Sequence, residues 1–192
     1  VYSLRALRDA INAHTELRAE LVGEGAGLSL ADGQLAEIPV VLLTYPPLEN
    51  EWQPLCHYLL EGGFFIGYHQ QARTIAEAFQ AQGVADFHTA PLAADHPVFS
   101  ALYDLQKPLP GGEENHVPAL TGCFVLGRLA GVFAEGPLWS MPRASQRGPV
   151  LSASIKLTVN LMAYALQQEG SLTWKRQHPE GTVEADPAAI KK

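Results

Sequence analysis

Two clusters of residues in this sequence could act on a small molecule. Thr44 and Tyr45 end the apolar run "VVLLTY", and Tyr68, His69 and Gln70 follow or end the run "FFIGYHQ". A hydroxyl, two phenols, an imidazole and an amide at one edge could hydrogen-bond a polyol or sugar, with the tyrosine rings supplying apolar faces. His69 could go further, because an unperturbed imidazole titrates near neutrality and suits a general base. The bland reading stands beside this one: His69 and Gln70 cap the following helix and satisfy backbone groups.

Other polar residues could join from loops. Arg128 sits where a hairpin tip is expected; such a residue is usually solvated, although a guanidinium facing a pocket could bind carboxylate or phosphate. Asp95-His96-Pro97 reads as a capping turn in preference to a catalytic dyad, since Asp caps helices and Pro favours their first turn. Glu113, Glu114, Asn115 and His116 offer carboxylate and imidazole groups, but no second spaced cluster accompanies them, so a solvated loop is favoured over a metal site. Asn160, on an apolar helix face, is expected to lock that helix to a loop by buried hydrogen bonds. Trp139 is either a lid or a hydrophobic anchor. Cys56 and Cys123 lie inside apolar elements without metal spacing and read as buried, unpaired thiols. No motif calls for a cofactor.

The elements that position these residues follow from periodicity. Residues 4–13 form an amphipathic helix, and "TELRAEL" reads as a short strand. The run 40–45 is continuously apolar, the mark of a strand covered on both faces. A helix over 51–61 follows, with Asn50 and Gln53 at capping-box spacing and an apolar stripe through Trp52, Leu55, Cys56, Leu59 and Leu60. Gly62 and Gly63 stop it and turn the chain into the strand 63–68. Strand, helix, strand in this order predicts a parallel crossover unit, and ligands of open α/β sheets bind at the carboxyl ends of such strands. Then come a helix over 72–83, a short strand in "ADFHTAPLA", a short helix after Pro97, and a β-hairpin over 123–133. A Pro/Gly/Ser-rich loop over 136–149 precedes a long helix over 150–170. Residues 171–192 are polar and read as a fraying tail after a single domain, 1–170.

Composition excludes several classes. The 192 residues are 47% hydrophobic and 17% charged, with a formal net charge of −7 and scattered cations, which argues against a nucleic-acid surface. No apolar run approaches the roughly 20 residues needed for a membrane span. The chain starts at Val1, not Met, which suggests a processed product whose signal peptide or anchor has gone.

The stretches "YPPLENEWQPLCHYLLEGGFFIGYH", "DHPVFSALYDL", "LTGCFVLGRLAGVF" and "LSASIKLTVNLMAYAL" resemble, in this order, a bacterial domain family of unknown function. That family is similar to class I glutamine amidotransferase-like domains, with trehalose-utilisation-type proteins as relatives. The resemblance covers about residues 4–168. It implies a flavodoxin-like three-layer α/β sandwich with a mostly parallel central sheet, to which the hairpin is added. It implies no known activity, and it points to a periplasmic or secreted bacterial setting. The family usually carries another strand and an acidic-aromatic segment before the first helix, and this chain begins after them. Catalytic relatives place a cysteine on the turn after the strand matching "FFIGY". Here the turn reads Tyr68-His69-Gln70, and nothing there can attack an amide. The trehalose-utilisation relatives resemble this chain in ending that strand with a Gly-aliphatic-His pattern.

The expected function is therefore an amidotransferase-like domain lacking the nucleophilic cysteine, which binds a small polar ligand such as a carbohydrate through Thr44, Tyr45, Tyr68, His69, Gln70 and Arg128. Two alternatives remain open. One is a hydrolase or lyase acting on a sugar derivative with His69 as base. The other is a protein-interaction module of a bacterial envelope assembly, using the 136–149 loop.

Overall fold

The computed structural model describes residues 2–22, 27–68, 72–84, 86–106, 118–135, 138 and 153–181. The chain divides into two compact units. One comprises Val1–Leu28, Ala94–Pro118 and Pro137–Ala163; the other comprises Ser29–Ala93, Ala119–Gly136 and Tyr164–Lys192. The segments of the two units alternate along the chain.

The second unit carries a mixed α/β sheet. Its strands are β1 (Val40–Leu42), β2 (Phe64–Tyr68), β3 (His88–Pro91), β4 (Leu120–Val125) and β5 (Arg128–Ala134), in the spatial order β1-β2-β5-β4-β3. β1 and β2 are parallel, with Val40 opposite Phe64 and Leu42 opposite Ile66. Helix α2 (Trp52–Leu60) connects them, so the expected strand-helix-strand unit is present. β5 lies parallel to β2 on its other side, and β4 and β3 extend the sheet antiparallel.

The hairpin is therefore no appendage. Its second strand occupies the middle of the sheet, because β5 reads "LAGVFA", buried throughout, and needs cover on both faces. Phe65 of β2 meets Phe133 of β5 with ring centroids 5.1 Å apart. These two join Leu55, Cys56, Leu59, Ile75, Phe79, Cys123 and Val125 in one apolar core. Ile75 and Phe79 come from α3 (Ala72–Ala81), where they recur four residues apart on the inward face.

The segment after Gly170 differs from the expected tail. Ser171 caps a further helix, α5 (Leu172–Gln177), its hydroxyl accepting from the Trp174 N–H at 3.1 Å. Ser171 and Leu172 are buried. The polar composition of 171–178 concealed one core leucine and a good N-cap.

In the first unit, α1 (Tyr2–His14) matches the expected helix, with Leu7 and Ile11 buried. The predicted strand in "TELRAEL" does not form: Thr15 instead closes α1, its N–H and hydroxyl both donating to the Ile11 carbonyl, at 3.0 and 2.8 Å. Helix α4 spans Ala153–Gln167. Within the first unit Asn160 acts as expected. Its Oδ1 accepts from the Leu102 and Tyr103 amides at 3.0 and 2.7 Å, and its Nδ2 donates to the Tyr103 carbonyl at 2.7 Å. The turn before Pro97–Phe99 is capped by His96 and not by Asp95, His96 Nδ1 accepting from the Val98 N–H at 3.2 Å. Burial lowers the affinity of this imidazole for a proton, and Asp95 partly offsets that.

Candidate functional site: the carboxyl ends of β1 and β2

The parallel register brings the ends of β1 and β2 side by side. The last rung is the Leu43 N–H donating to the Ile66 carbonyl at 2.8 Å. Beyond it Thr44, Tyr45 and Pro46 are exposed, Tyr45 at 80%. Tyr68, at the end of β2, is half-buried. Burial raises the pKa of its phenol, and the neighbouring Tyr45 phenol raises it further. The structure thus brings Tyr45 and Tyr68 together at one sheet edge. Pro46 and Pro47 follow Tyr45 and restrict the backbone that carries its ring. His69 and Gln70 lie outside the described residues, as do Glu113, Glu114, Asn115, His116, Trp139 and nearly all of the 136–149 loop.

Arg128 is not at this edge. It opens β5, whose parallel pairing with β2 places it at the amino ends of those strands. There the guanidinium donates through Nη2 to the carbonyls of Leu59, at 2.5 Å, and Gly63, at 3.1 Å. The Leu59 carbonyl, which also accepts from the Gly62 N–H at 3.2 Å, lies in the last turn of α2 and the Gly63 carbonyl just past its end, where a helix dipole favours a cation. Burial lowers the Arg128 pKa to about 10, against the opposing influence of Tyr58, Cys123 and Tyr164, so the group is still charged at neutral pH. Its Nη1 is buried without a hydrogen-bond partner among the described residues. A residue expected to be solvated, or to bind an anion, is half-buried and caps a helix end.

Sequence reasoning missed Glu51. The expected capping pair was Asn50 and Gln53; the structure uses Leu48 and Glu51. The turn Glu49–Glu51 precedes α2, the Glu51 N–H donates to the Leu48 carbonyl at 2.9 Å, and Glu51 Oε2 accepts from the Leu48 N–H at 2.9 Å. Its other oxygen accepts from the Ser29 hydroxyl at 2.6 Å and the Leu30 N–H at 2.9 Å. Burial works to raise the pKa of this carboxyl, but the bonds from Ser29, Leu48 and Leu30 outweigh it and hold the pKa below the usual carboxylate value. The usable signal was the Leu48–Glu51 spacing of three, the same spacing that Asn50 and Gln53 share.

Neither cysteine can serve as a nucleophile. Cys56 and Cys123 are buried and free, the first in α2 and the second in β4. Burial pushes the Cys56 thiol up to about 12 and raises Cys123 too, where Arg128 opposes and Cys56 adds to the shift. A thiolate at neutral pH is therefore absent from both. No helix among the described residues is long and apolar enough to cross a membrane.

Fold and site together define a mixed α/β architecture with an aromatic strand edge and two buried thiols. Residues 2–166 match the family described as a domain of unknown function, DUF4159, and the chain belongs to that family. None of the curated proteins matches it. The match ends before α5.

Proposed function

We propose that this chain is a relative of the glutamine amidotransferase-like domains without their nucleophilic cysteine, of flavodoxin-like architecture, which binds a small polar ligand such as a carbohydrate at the Tyr45–Tyr68 edge. One observation carries the reading. In a unit whose aromatic and aliphatic side chains are otherwise mostly buried, Tyr45 stands 80% exposed beside Tyr68, at the carboxyl ends of two parallel strands. An exposed ring on a proline-stiffened loop costs little to order on binding, and it offers a flat apolar face to the C–H side of a sugar ring. The Thr44 hydroxyl and the two phenols supply donors and acceptors for ligand hydroxyls. His69 and Gln70, directly after Tyr68 in the chain, would extend the same set. The burial of both thiols supports a binding role without amidotransferase chemistry.

The test is calorimetric titration with a panel of monosaccharides, disaccharides and polyols. The expected result is saturable heat with at least one sugar, weakened roughly tenfold in Tyr45→Ala and in His69→Ala, as the loss of one stacking or hydrogen-bonding partner predicts. Binding that is unchanged in both variants would place the ligand elsewhere. A panel that gives no heat at all would remove the carbohydrate reading.

A further inference from the structure

Among the described residues Tyr45, at 80%, and Leu48, at 66%, are the two most exposed large apolar side chains. They stand on one loop with the exposed Pro46 between them, and only Pro47 of this stretch is buried. The loop is anchored at both ends. At its start the Leu43 N–H is bonded to the Ile66 carbonyl of β2. At its end the Leu48 N–H donates to the Glu51 carboxylate and the Leu48 carbonyl accepts from the Glu51 N–H. Between these anchors the chain bends at Thr44 and Tyr45, then runs without turn or bend from Pro46 to Leu48. Proline fixes its own φ, and a residue before proline is kept out of the helical region. Pro46 meets both conditions, which leave it the polyproline II conformation, and Leu48 is close to that conformation with φ −72° and ψ 164°. Such a helix repeats every three residues, so Tyr45 and Leu48 share one edge of an apolar ridge.

The hydrogen-bonding groups of the ridge narrow its partner. Pro46 and Pro47 have no N–H, and the Leu48 N–H is taken by Glu51, so no backbone donor is offered from Pro46 to Leu48. The carbonyls of Tyr45, Pro46 and Pro47 accept no backbone hydrogen bond among the described residues. An added β-strand needs donors as well as acceptors along its edge and finds only acceptors here. A partner that covers the ridge must bring the donors itself. Tryptophan N–H and tyrosine O–H groups do so from flat apolar bodies that pack against proline and leucine. Past Leu48 the ridge ends in Glu49, which is exposed and in no ion pair among the described residues. With a formal net charge of −7 on the chain, this end of the ridge is complementary to a cation.

We propose that residues 45–49 form a docking ridge for a protein that reads polyproline II segments through a groove lined by tryptophan and tyrosine, with a lysine or arginine at the groove's end for Glu49. The ridge goes beyond the ligand edge and shares only Tyr45 with it. Pro46, Leu48 and Glu49 play no part in the sugar reading. Both anchors keep the ridge in one conformation, so little ordering is needed when a groove closes over it.

The test titrates the full chain calorimetrically against a panel of isolated proline-reading domains of the WW, SH3 and EVH1 types. The expected result is saturable binding by at least one domain, weakened roughly tenfold in Leu48→Ala, as the lost burial of one leucine side chain predicts. Pro46→Ala, which frees the backbone, should weaken it roughly threefold. Glu49→Lys should weaken it too and reduce its dependence on salt. Leu48 is held through its backbone alone, so Leu48→Ala should melt as the parent does and bind any sugar as the parent does. A panel in which no domain binds at about 1 mM would overturn the proposal. Binding that Leu48→Ala leaves unchanged would also overturn it, since the contact would then lie elsewhere. Sugar binding without any bound domain would remove the ridge and leave the ligand reading. A domain bound through Leu48, with no sugar bound by any variant or the parent, would remove the ligand reading and leave the ridge standing.

Discussion

The two ends of the parallel strands in the sheet-bearing unit are built on opposite principles. At the amino ends nearly every acceptor is occupied. Arg128 takes the Leu59 and Gly63 carbonyls, Lys175 takes Glu61 at 2.9 Å, and the Leu172 N–H takes Gly62 at 3.1 Å. The Tyr58 hydroxyl donates to the Phe64 carbonyl and accepts from the Phe64 N–H, at 3.0 and 3.1 Å. At the carboxyl ends, Thr44, Tyr45 and Pro46 are exposed. The closed end uses most of its polar groups internally, with Arg128 Nη1 left over among the described residues. The open end leaves hydroxyls and an aromatic ring facing solvent. Arg128 belongs to the first kind of surface, with Nη2 on the Leu59 and Gly63 carbonyls.

If this contrast is right, substitutions at the closed end should cost folding and those at the open end should cost only binding. The largest effect should come from Gly62→Ala and Gly63→Ala. Gly62 has φ +112°, and a Cβ there would strike the Gly170 carbonyl oxygen; a Cβ on Gly63 would enter the Tyr58 ring. Each should lower stability by about 4 kcal/mol or prevent folding, as read by chemical denaturation. Gly62→Ala melting like the parent would mean that the contact of Gly62 with the Gly170–Leu172 turn is not tight, and Gly63→Ala doing so would mean that the Tyr58 ring can give way.

Next is truncation. A chain ending at Gly170 loses the Leu172 burial, its bond to Gly62 and the Lys175 cap, for a loss of about 3 kcal/mol. A chain ending at Gly181 keeps these contacts and is the reference for the comparison. Equal melting of both shortened chains would return 171–181 to the status of a tail.

Arg128→Met should cost about 2 kcal/mol, because two charge-assisted bonds are lost while the penalty of burying a charge is relieved. No loss of ligand binding beyond that expected from destabilisation should accompany it. A specific binding defect in a stably folded Arg128→Met would join the two ends functionally and break the contrast.

A smaller effect is the contribution of Glu51 to stability against pH. Its folded pKa is lowered, so the unfolded chain binds the proton more readily than the folded one. Its stabilisation is present above the unfolded pKa near 4.5 and is lost as pH falls through the lower folded value. Denaturation midpoints measured between pH 6 and pH 3 should fall less steeply in Glu51→Gln than in the parent. The smallest stability effect belongs to Tyr45→Ala, under about 0.5 kcal/mol, since so exposed a ring leaves little packing to lose.

The legible parts of this protein were those in which the cause is local. "FFIG" is apolar without alternation and is buried throughout in β2, whereas "VVLL" forms the edge strand β1, which ends at Leu42 and is only part-buried. The expected cover on both faces thus holds for the second run and not for the first. The stripe from Leu55 to Leu59 turns one helix face toward that pair, and the parallel β1–β2 unit follows. Asn160 was legible for a related reason: a lone amide on an apolar face must find partners. The position of the hairpin was not. Short apolar strands pair equally well at an edge or in the centre, and only the sum of the packed faces chooses β5 for the middle.

By itself, then, the sequence determined the apolar segments, their periods, the stops at Gly62 and Gly170, and the two tyrosines at strand ends. Tertiary structure alone decided what the charged residues do. The bonds of Arg128 reach carbonyls 69 and 65 residues away, and Glu51 reaches Ser29 and Leu30 across 22 and 21. Their partners are backbone groups, or a serine like any other, and a backbone carbonyl or amide looks the same at every position of the chain. Whether a cation is solvated or caps a buried helix depends on where those groups are carried by the fold, and no residue type records that in advance.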